Sequence, residues 1–292
     1  MNLHEKGDPL SRVESSGGQP SILVTGVSTG IGAEIARRFL ASGWRVIGTV
    51  RRAEDAEALV TEGGSAFLPR ILDVTDGAAL ERMGTEVRGW LDGAPLDVVC
   101  SNAGTSVPAA TVFQDSAAFR DAIELNLVAP HALVRVCYPL LRKPGGRVIF
   151  IGSLAGVMPL PFCAAYSAAK HGIEGLAGSL RVELAAVGIS VSVVAPGSVR
   201  TAIASKITSE AMLEAASGEF EPAFMRMGRH MQEESRFAFD PTVIAALVEE
   251  VVRSPDPRHR YVKTPRHFYN WMLPRLLGPE WTMRRWLRSL GI

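Results

Sequence analysis

Three features of the sequence predict a doubly wound α/β fold built on a parallel sheet. Short apolar runs alternate with longer segments of helical period from Ser21 onward. The runs are apolar on both faces, as strands are when helices cover a parallel sheet on each side. A chain of 292 residues that is 47% hydrophobic and 21% charged can bury one such core without a disulfide or metal staple. No linker rich in Gly, Pro or Ser divides it, so one domain over 20–292 is expected, behind a disordered leader over 1–19.

The leader has no apolar core, which excludes a secretory signal. The first strand, SILVT (21–25), runs through a Gly-rich turn into a helix over Ile31–Ala41. RVIGTV (45–50) and AFLPRIL (66–72) are the next two strands, and a helix over Ala78–Leu91 follows. LDVVCS (96–101) precedes a long helical segment over Ala117–Leu141. RVIFIG (147–152), a helix over Ala168–Val187 and ISVSVV (189–194) continue the alternation, and RYVKT (260–264) extends the edge. Right-handed crossovers then wind the helices onto both faces. Two uncharged stretches, 148–169 and 184–199, are long enough to attract attention as membrane spans. Gly152, Gly156, Pro159 and Pro161 break the first, and Gly188 with an alternating ISVSVV breaks the second, so neither is a transmembrane helix.

A formal net charge of +1 gives no reason to expect a nucleic-acid partner. Cys100, Cys137 and Cys163 lie far apart with no CxxC, which removes zinc and disulfide frameworks and fits a reducing, cytoplasmic compartment.

Between the first strand and its helix stands Thr25-Gly26-Val27-Ser28-Thr29-Gly30-Ile31-Gly32. A Gly-rich turn at a helix N-terminus brings backbone N–H groups and the positive helix end close to a diphosphate. The glycine spacing is not GxGxxG, and a turn that merely packs tightly would look the same. The second strand ends in Arg51-Arg52, where an acid would hold an unphosphorylated ribose. Arginine instead suits a 2′-phosphate, the alternative being two solvated surface arginines. Tyr166 and Lys170, four apart, share a helical face. A neighbouring ammonium stabilises a phenolate and is expected to lower the Tyr166 pKa toward neutrality. Ser153, thirteen residues earlier at a strand end, is placed to meet the Tyr and bind a carbonyl oxygen.

Taken together, these residues resemble the short-chain dehydrogenase/reductase family, in order and spacing, over roughly residues 20–200. The family's glycine motif matches Thr25–Gly32, and its Asn-Asn-Ala-Gly element matches Ser101-Asn102-Ala103-Gly104 with the first Asn replaced. Asn126, Ser153, Tyr166 and Lys170 match its catalytic residues. Pro196, Gly197, Val199 and Thr201 match a segment that touches the nicotinamide, and Asp73-Val74 a pair that contacts adenine. The resemblance implies a Rossmann-like fold and hydride transfer with NADP(H), favoured over NAD(H) because of Arg51. It also implies Tyr166 as proton donor, Lys170 lowering its pKa, Ser153 polarising the substrate oxygen and Asn126 anchoring a water. A homodimer or homotetramer through helices near 117–141 and 168–187 is implied as well.

Residues 202–240 fall where the family places a substrate lid, and Met212, Phe220, Phe224, Met225, Met227 and Met231 with Phe237 and Phe239 give it a soft apolar character. The layout after Pro255 is similar to the 17β-hydroxysteroid and retinol dehydrogenase-like branch, which implies a lipophilic alcohol or ketone. A 3-oxoacyl-thioester reductase and a catalytically silent NADP-binding scaffold are the rivals. Residues 258–292 carry eight basic side chains against one acid, Glu280. In a helical extension over 265–292, Met283, Trp286, Leu287 and Leu290 share one face, with Arg284, Arg285 and Arg288 opposite. This face is expected to dock on the protein's own lid or a second subunit, with peripheral contact on an anionic membrane as the alternative.

Overall fold

All the apolar runs pair into one seven-stranded parallel sheet, in the order β3-β2-β1-β4-β5-β6-β7. The computed structural model describes residues 18–201 and 218–292. The strands are β1 (Ser21–Val24), β2 (Arg45–Val50), β3 (Phe67–Ile71), β4 (Val98–Ser101), β5 (Arg147–Ile151), β6 (Ser190–Pro196) and β7 (Arg260–Lys263). Each lies within two residues of its expected position at either end. Alternate side chains divide the core. Ile22 and Val24 pack with Val46, Ile35, Phe39 and Val248 on one face. Leu23 and Ile47 pack with Met83, Leu133, Ile173 and Val191 on the other.

Helices α1 (Gly30–Ala41) and α8 (Pro241–Arg253) cover the first face. Helices α3 (Gly77–Leu91), α5 (Ala129–Cys137) and α6 (Ala164–Ala185) cover the second. A short α2 (Glu57–Gly63) links β2 to β3, and α4 (Ser116–Ile123) precedes α5. Aspartates start three of these helices. Asp76 accepts from the N–H groups of Ala78 and Ala79, Asp115 from Ala117 and Ala118, and Asp240 from Thr242.

The single helix expected over 117–141 is corrected. It is divided into α4, a π turn over Glu124–Val128, and α5, which ends at Cys137. Pro130 supplies the physical reason, because it has no N–H to give the carbonyl of Asn126 four residues earlier. The ladder widens, and the Ala129 N–H reaches back to the Glu124 carbonyl. Helix α6 begins four residues before its expected start, so Tyr166 lies in its first turn.

Beyond β6 the backbone of Ser198 and Arg200 pairs with that of Phe239, which ties the segment before α8 to the sheet. Part of the expected lid, with Met212, lies outside the described residues. The rest forms α7 (Glu221–Ser235). The chain ends in a π turn over Phe268–Met272 and α9 (Leu273–Leu290), kinked at Gly278-Pro279, where Gly278 has φ 81°.

Helix α9 docks on α7. Leu290 is buried with Ala223 and Met227, Trp286 packs against the same cluster, and Arg226 donates to the Leu290 carbonyl at 2.6 Å. The expected apolar face is only half used, since Met283 and Leu287 point to solvent. Arg285 also departs from expectation, turning inward instead of sharing the outer face. Successive residues turn about 100°, so Thr282, Trp286 and Leu290 form the inward row, with Arg285 at its border.

Candidate active site

One cavity of about 930 Å³ opens along the C-terminal ends of the strands. It sits where β1 has β2 on one side and β4 on the other, the reversal point at which doubly wound sheets bind ligands.

At one end lies the glycine turn, which the sequence builds tightly. The Thr25 hydroxyl accepts from the N–H groups of Asn102 and Ala103, both at 3.0 Å. The Asn102 amide donates to the carbonyls of Thr25 at 2.9 Å and Gly26 at 3.1 Å. Gly26 has φ +71°, which disfavours a side chain. A Cβ on Gly32 would stand 2.2 Å from the Gly26 carbonyl oxygen. Gly32 therefore closes the turn from behind, whereas Gly26, Ser28, Thr29, Gly30 and Ile31 line the cavity. Thr29 occupies the N-cap of α1 without making a side-chain cap. The first-turn N–H groups are thus left for an anion in the cavity.

Arg51, Asp73 and Val74 line the same end. Among the described residues Arg51 has no ion pair, and it adds to the downward pull on its acidic neighbours. The Thr75 N–H and hydroxyl hold the Asp73 carboxyl below its ordinary range first, with Arg51 contributing further. Arg52 does not line the cavity. It pairs with Asp55 at 2.8 Å and with Glu54 at 3.5 Å, so of the two arginines only Arg51 faces the cavity. Asn102, Ala103 and Gly104 form the floor, and Pro196, Gly197, Val199 and Thr201 the facing wall. A turn that only glycine fits, an uncapped helix start and an unpaired guanidinium suit a phosphorylated dinucleotide.

Ser153, Tyr166 and Lys170 meet in the middle. Ser153 follows β5 and accepts from the Ala155 N–H at 3.1 Å. Lys170 is buried and donates to the Ile151 carbonyl at 2.9 Å, its Nζ 5.6 Å from the centre of the Tyr166 ring. Burial disfavours the ammonium and pulls Lys170 down to about 8. The expected lowering of Tyr166 is reversed in this structure. Burial pushes the phenol up, while a hydrogen bond from the Ser153 hydroxyl acts the other way.

Asn126 lies in the π turn, fully buried, and also lines the cavity. Its side chain is committed to backbone, accepting from the Thr105 N–H at 3.2 Å and donating to the carbonyls of Thr105 and Ala122. π turns of this kind occur frequently at functional sites.

The far end is walled by Met227, His230 and Met231 of α7, and by Thr282, Arg285 and Trp286 of α9. His230 stands edge-on to Trp286 at 5.3 Å. Arg285 donates to the Tyr269 carbonyl at 2.9 Å. Glu234 is neutralised by Arg266 at 3.2 Å. Cys163 lies behind the wall, its thiol pushed up to about 11 by burial. The sequence pattern missed Thr282 and Arg285. Their spacing to Trp286 was readable, but not which flank of the helix turns inward.

A family model described as short chain dehydrogenase matches residues 20–212. An NADPH-dependent 3-dehydrocapnine reductase from Ornithobacterium rhinotracheale is 30% identical over 249 residues, 84% of this chain and 88% of its own length. The 3-oxoacyl-[acyl-carrier-protein] reductase FabG of Escherichia coli is 37% identical over 180 residues, 61% of this chain and 73% of its own. In three dimensions a short-chain dehydrogenase from Streptomyces avermitilis matches with a TM-score of 0.77 at 28% identity, covering 94% of this chain and 97% of that one. The chain belongs to the short-chain dehydrogenase family, oxidoreductases that act on CH–OH and keto groups with NAD(P).

Proposed function

We propose that this enzyme uses NADP(H) to interconvert a secondary alcohol and a ketone, or an alcohol and an aldehyde, on a lipophilic substrate such as a steroid, retinoid or aromatic ketone. One observation carries the reading: Ser153, Tyr166 and Lys170 stand in a single cavity between a phosphate-binding turn and a Met- and Trp-lined wall. Arg51 binds the 2′-phosphate, in keeping with the NADPH dependence of the Ornithobacterium relative. Bound nicotinamide supplies the hydride. Ser153 donates a hydrogen bond to the carbonyl oxygen, and Tyr166 passes its proton to that oxygen as it gains charge. The protonated Lys170, on the same face of α6, stabilises the phenolate left behind. Exposed Val128 and Val182, on the helical segments that the family pairs, support a homodimer or homotetramer.

The likeness to FabG favours a second reading, a 3-oxoacyl-thioester reductase, although that match leaves more than a third of the chain uncovered. The four catalytic positions, all lining the cavity, speak against a silent scaffold. A panel of ketosteroids, retinaldehyde, aromatic ketones and a 3-oxoacyl thioester, followed by NADPH oxidation, separates the readings. Turnover on the first three is expected, and turnover on the thioester alone selects the second. Tyr166→Phe should lower kcat by roughly 100- to 10,000-fold while NADPH still binds. Near-normal turnover in that variant defeats the mechanism.

A further inference from the structure

Exposed apolar side chains concentrate in residues 268–292. Among the described residues, eight of the sixteen exposed large apolar side chains lie between Phe268 and Ile292. Phe268, Met272 and Leu276 are spaced four apart, and Tyr269 and Leu277 lie beside them. Past the kink, Met283 and Leu287 repeat the spacing, and Ile292 ends the chain. Their relative exposures run from 41% to 73%, although α9 is docked on its opposite side. Apolar clusters of this kind on a protein surface mark interaction sites.

Cations flank the patch. Arg284 and Arg288 follow Met283 and Leu287 on the next row, and Arg275 stands over the Trp271 ring at 5.6 Å. None of these three has a carboxylate partner among the described residues, and Glu280 is the one acid after Asp256. A self-pairing of the patch in a two-fold dimer would bring cations from both copies into one interface with no acid of this segment but Glu280 to offset them. An anionic lipid surface instead satisfies both rows: acyl chains receive the apolar side chains, and headgroups receive the arginines. No helix among the described residues is long and apolar enough to cross a membrane, so the fit is to lying on one.

We infer that the π turn over 268–272 and the outer face of α9 form a docking surface for anionic lipid bilayers. The inner face of that helix walls the cavity, so docking brings one wall of the site next to the membrane surface. The test needs no turnover and stands apart from the proposed reaction. Full-length protein is sedimented with vesicles of phosphatidylcholine alone, or containing about one third phosphatidylserine. It should pellet with the anionic vesicles and be released by salt. Arg284→Glu/Arg288→Glu should weaken partitioning about tenfold or more, and Leu276→Ser/Leu287→Ser should do likewise. NADPH binding and molecular mass should not change, because none of these four residues lines the cavity. Failure to pellet with anionic vesicles overturns the inference, as does undiminished partitioning of both variants. A fall in molecular mass in the variants overturns it too, and assigns the patch to a second copy of the chain.

Discussion

Tyr166 and Lys170 stand four apart on one helix, and burial moves their proton affinities in opposite directions, reversing their ordinary order: the phenol is pushed up and the amine drawn down to about 8. In the unfolded chain Lys170 holds its proton up to an ordinary value of 10.5. The stability contributed by neutral Lys170 is therefore complete above 10.5 and is lost as pH falls through about 8. Denaturation of cofactor-free protein should show the wild type gaining on Lys170→Met, by up to about 3 kcal/mol, as pH rises through this window. Parallel pH profiles for the two proteins would contradict the assignment. Arg51 and Arg52 are indistinguishable as letters, yet only the first faces the cavity without an ion pair. Arg51→Asp should weaken NADPH binding by roughly tenfold or more and spare NADH, whereas Arg52→Asp should not. Titrations with the two cofactors decide it. The motif residues were legible because each is a chemical type at a fixed spacing. The direction of the Tyr166 shift was not, because it depends on how deeply the phenol is buried, which the spacing does not show.

At the scale of elements, strands were readable to within two residues because apolar runs bounded by polar turns have few alternatives. The helix over 117–141 was misread because a single proline inside a good helical pattern leaves two solutions, a break or a π turn, and only packing chooses between them. The face of the tail was misread in part for a related reason, although it docks on the lid as expected. Its hydrophobic period gives a face, but α7 accepts only Trp286 and Leu290 from it, leaving Met283 and Leu287 outside. Trp286 makes α9 part of the site. Trp286→Ala removes apolar surface worth about 2 kcal/mol when fully buried, so KM for a lipophilic ketone should rise about tenfold with kcat changed less. Steady-state kinetics, with NADPH affinity as control, would show this. Equal losses in kcat and in NADPH binding would mean that the side chain supports the fold instead of the substrate.

Across the whole molecule, the residues of the candidate site lie at the C-terminal strand ends, and an ion pair fastens the sheet at the opposite ends. Asp97 is buried just before β4, accepts from the Ser21 N–H at 2.8 Å and pairs with Arg142, which fastens the starts of β1 and β4 to the turn before β5. Asp97→Ala removes the buried carboxylate that accepts from the Ser21 N–H and pairs with Arg142, and should cost about 1–3 kcal/mol of stability without altering substrate preference. A urea midpoint lowered at constant slope would confirm it, and a midpoint unchanged from wild type would refute it. Strand–helix alternation and right-handed crossovers restrict the topology to a doubly wound sheet, so this architecture was legible from the sequence. The docking of the tail on the lid was expected from its amphipathic period, but which of its residues wall the cavity was not, since that rests on a long-range contact between α7 and α9. That contact has a thermodynamic outcome. Beyond its kink, helix α9 carries one row on the cavity and another on the outside, and a displacement of that segment moves both rows. If a molecule in the cavity shifts α9, its occupancy and that of the outer face become linked functions. By whatever factor a ligand inside changes affinity outside, a partner outside changes affinity for that ligand by the same factor.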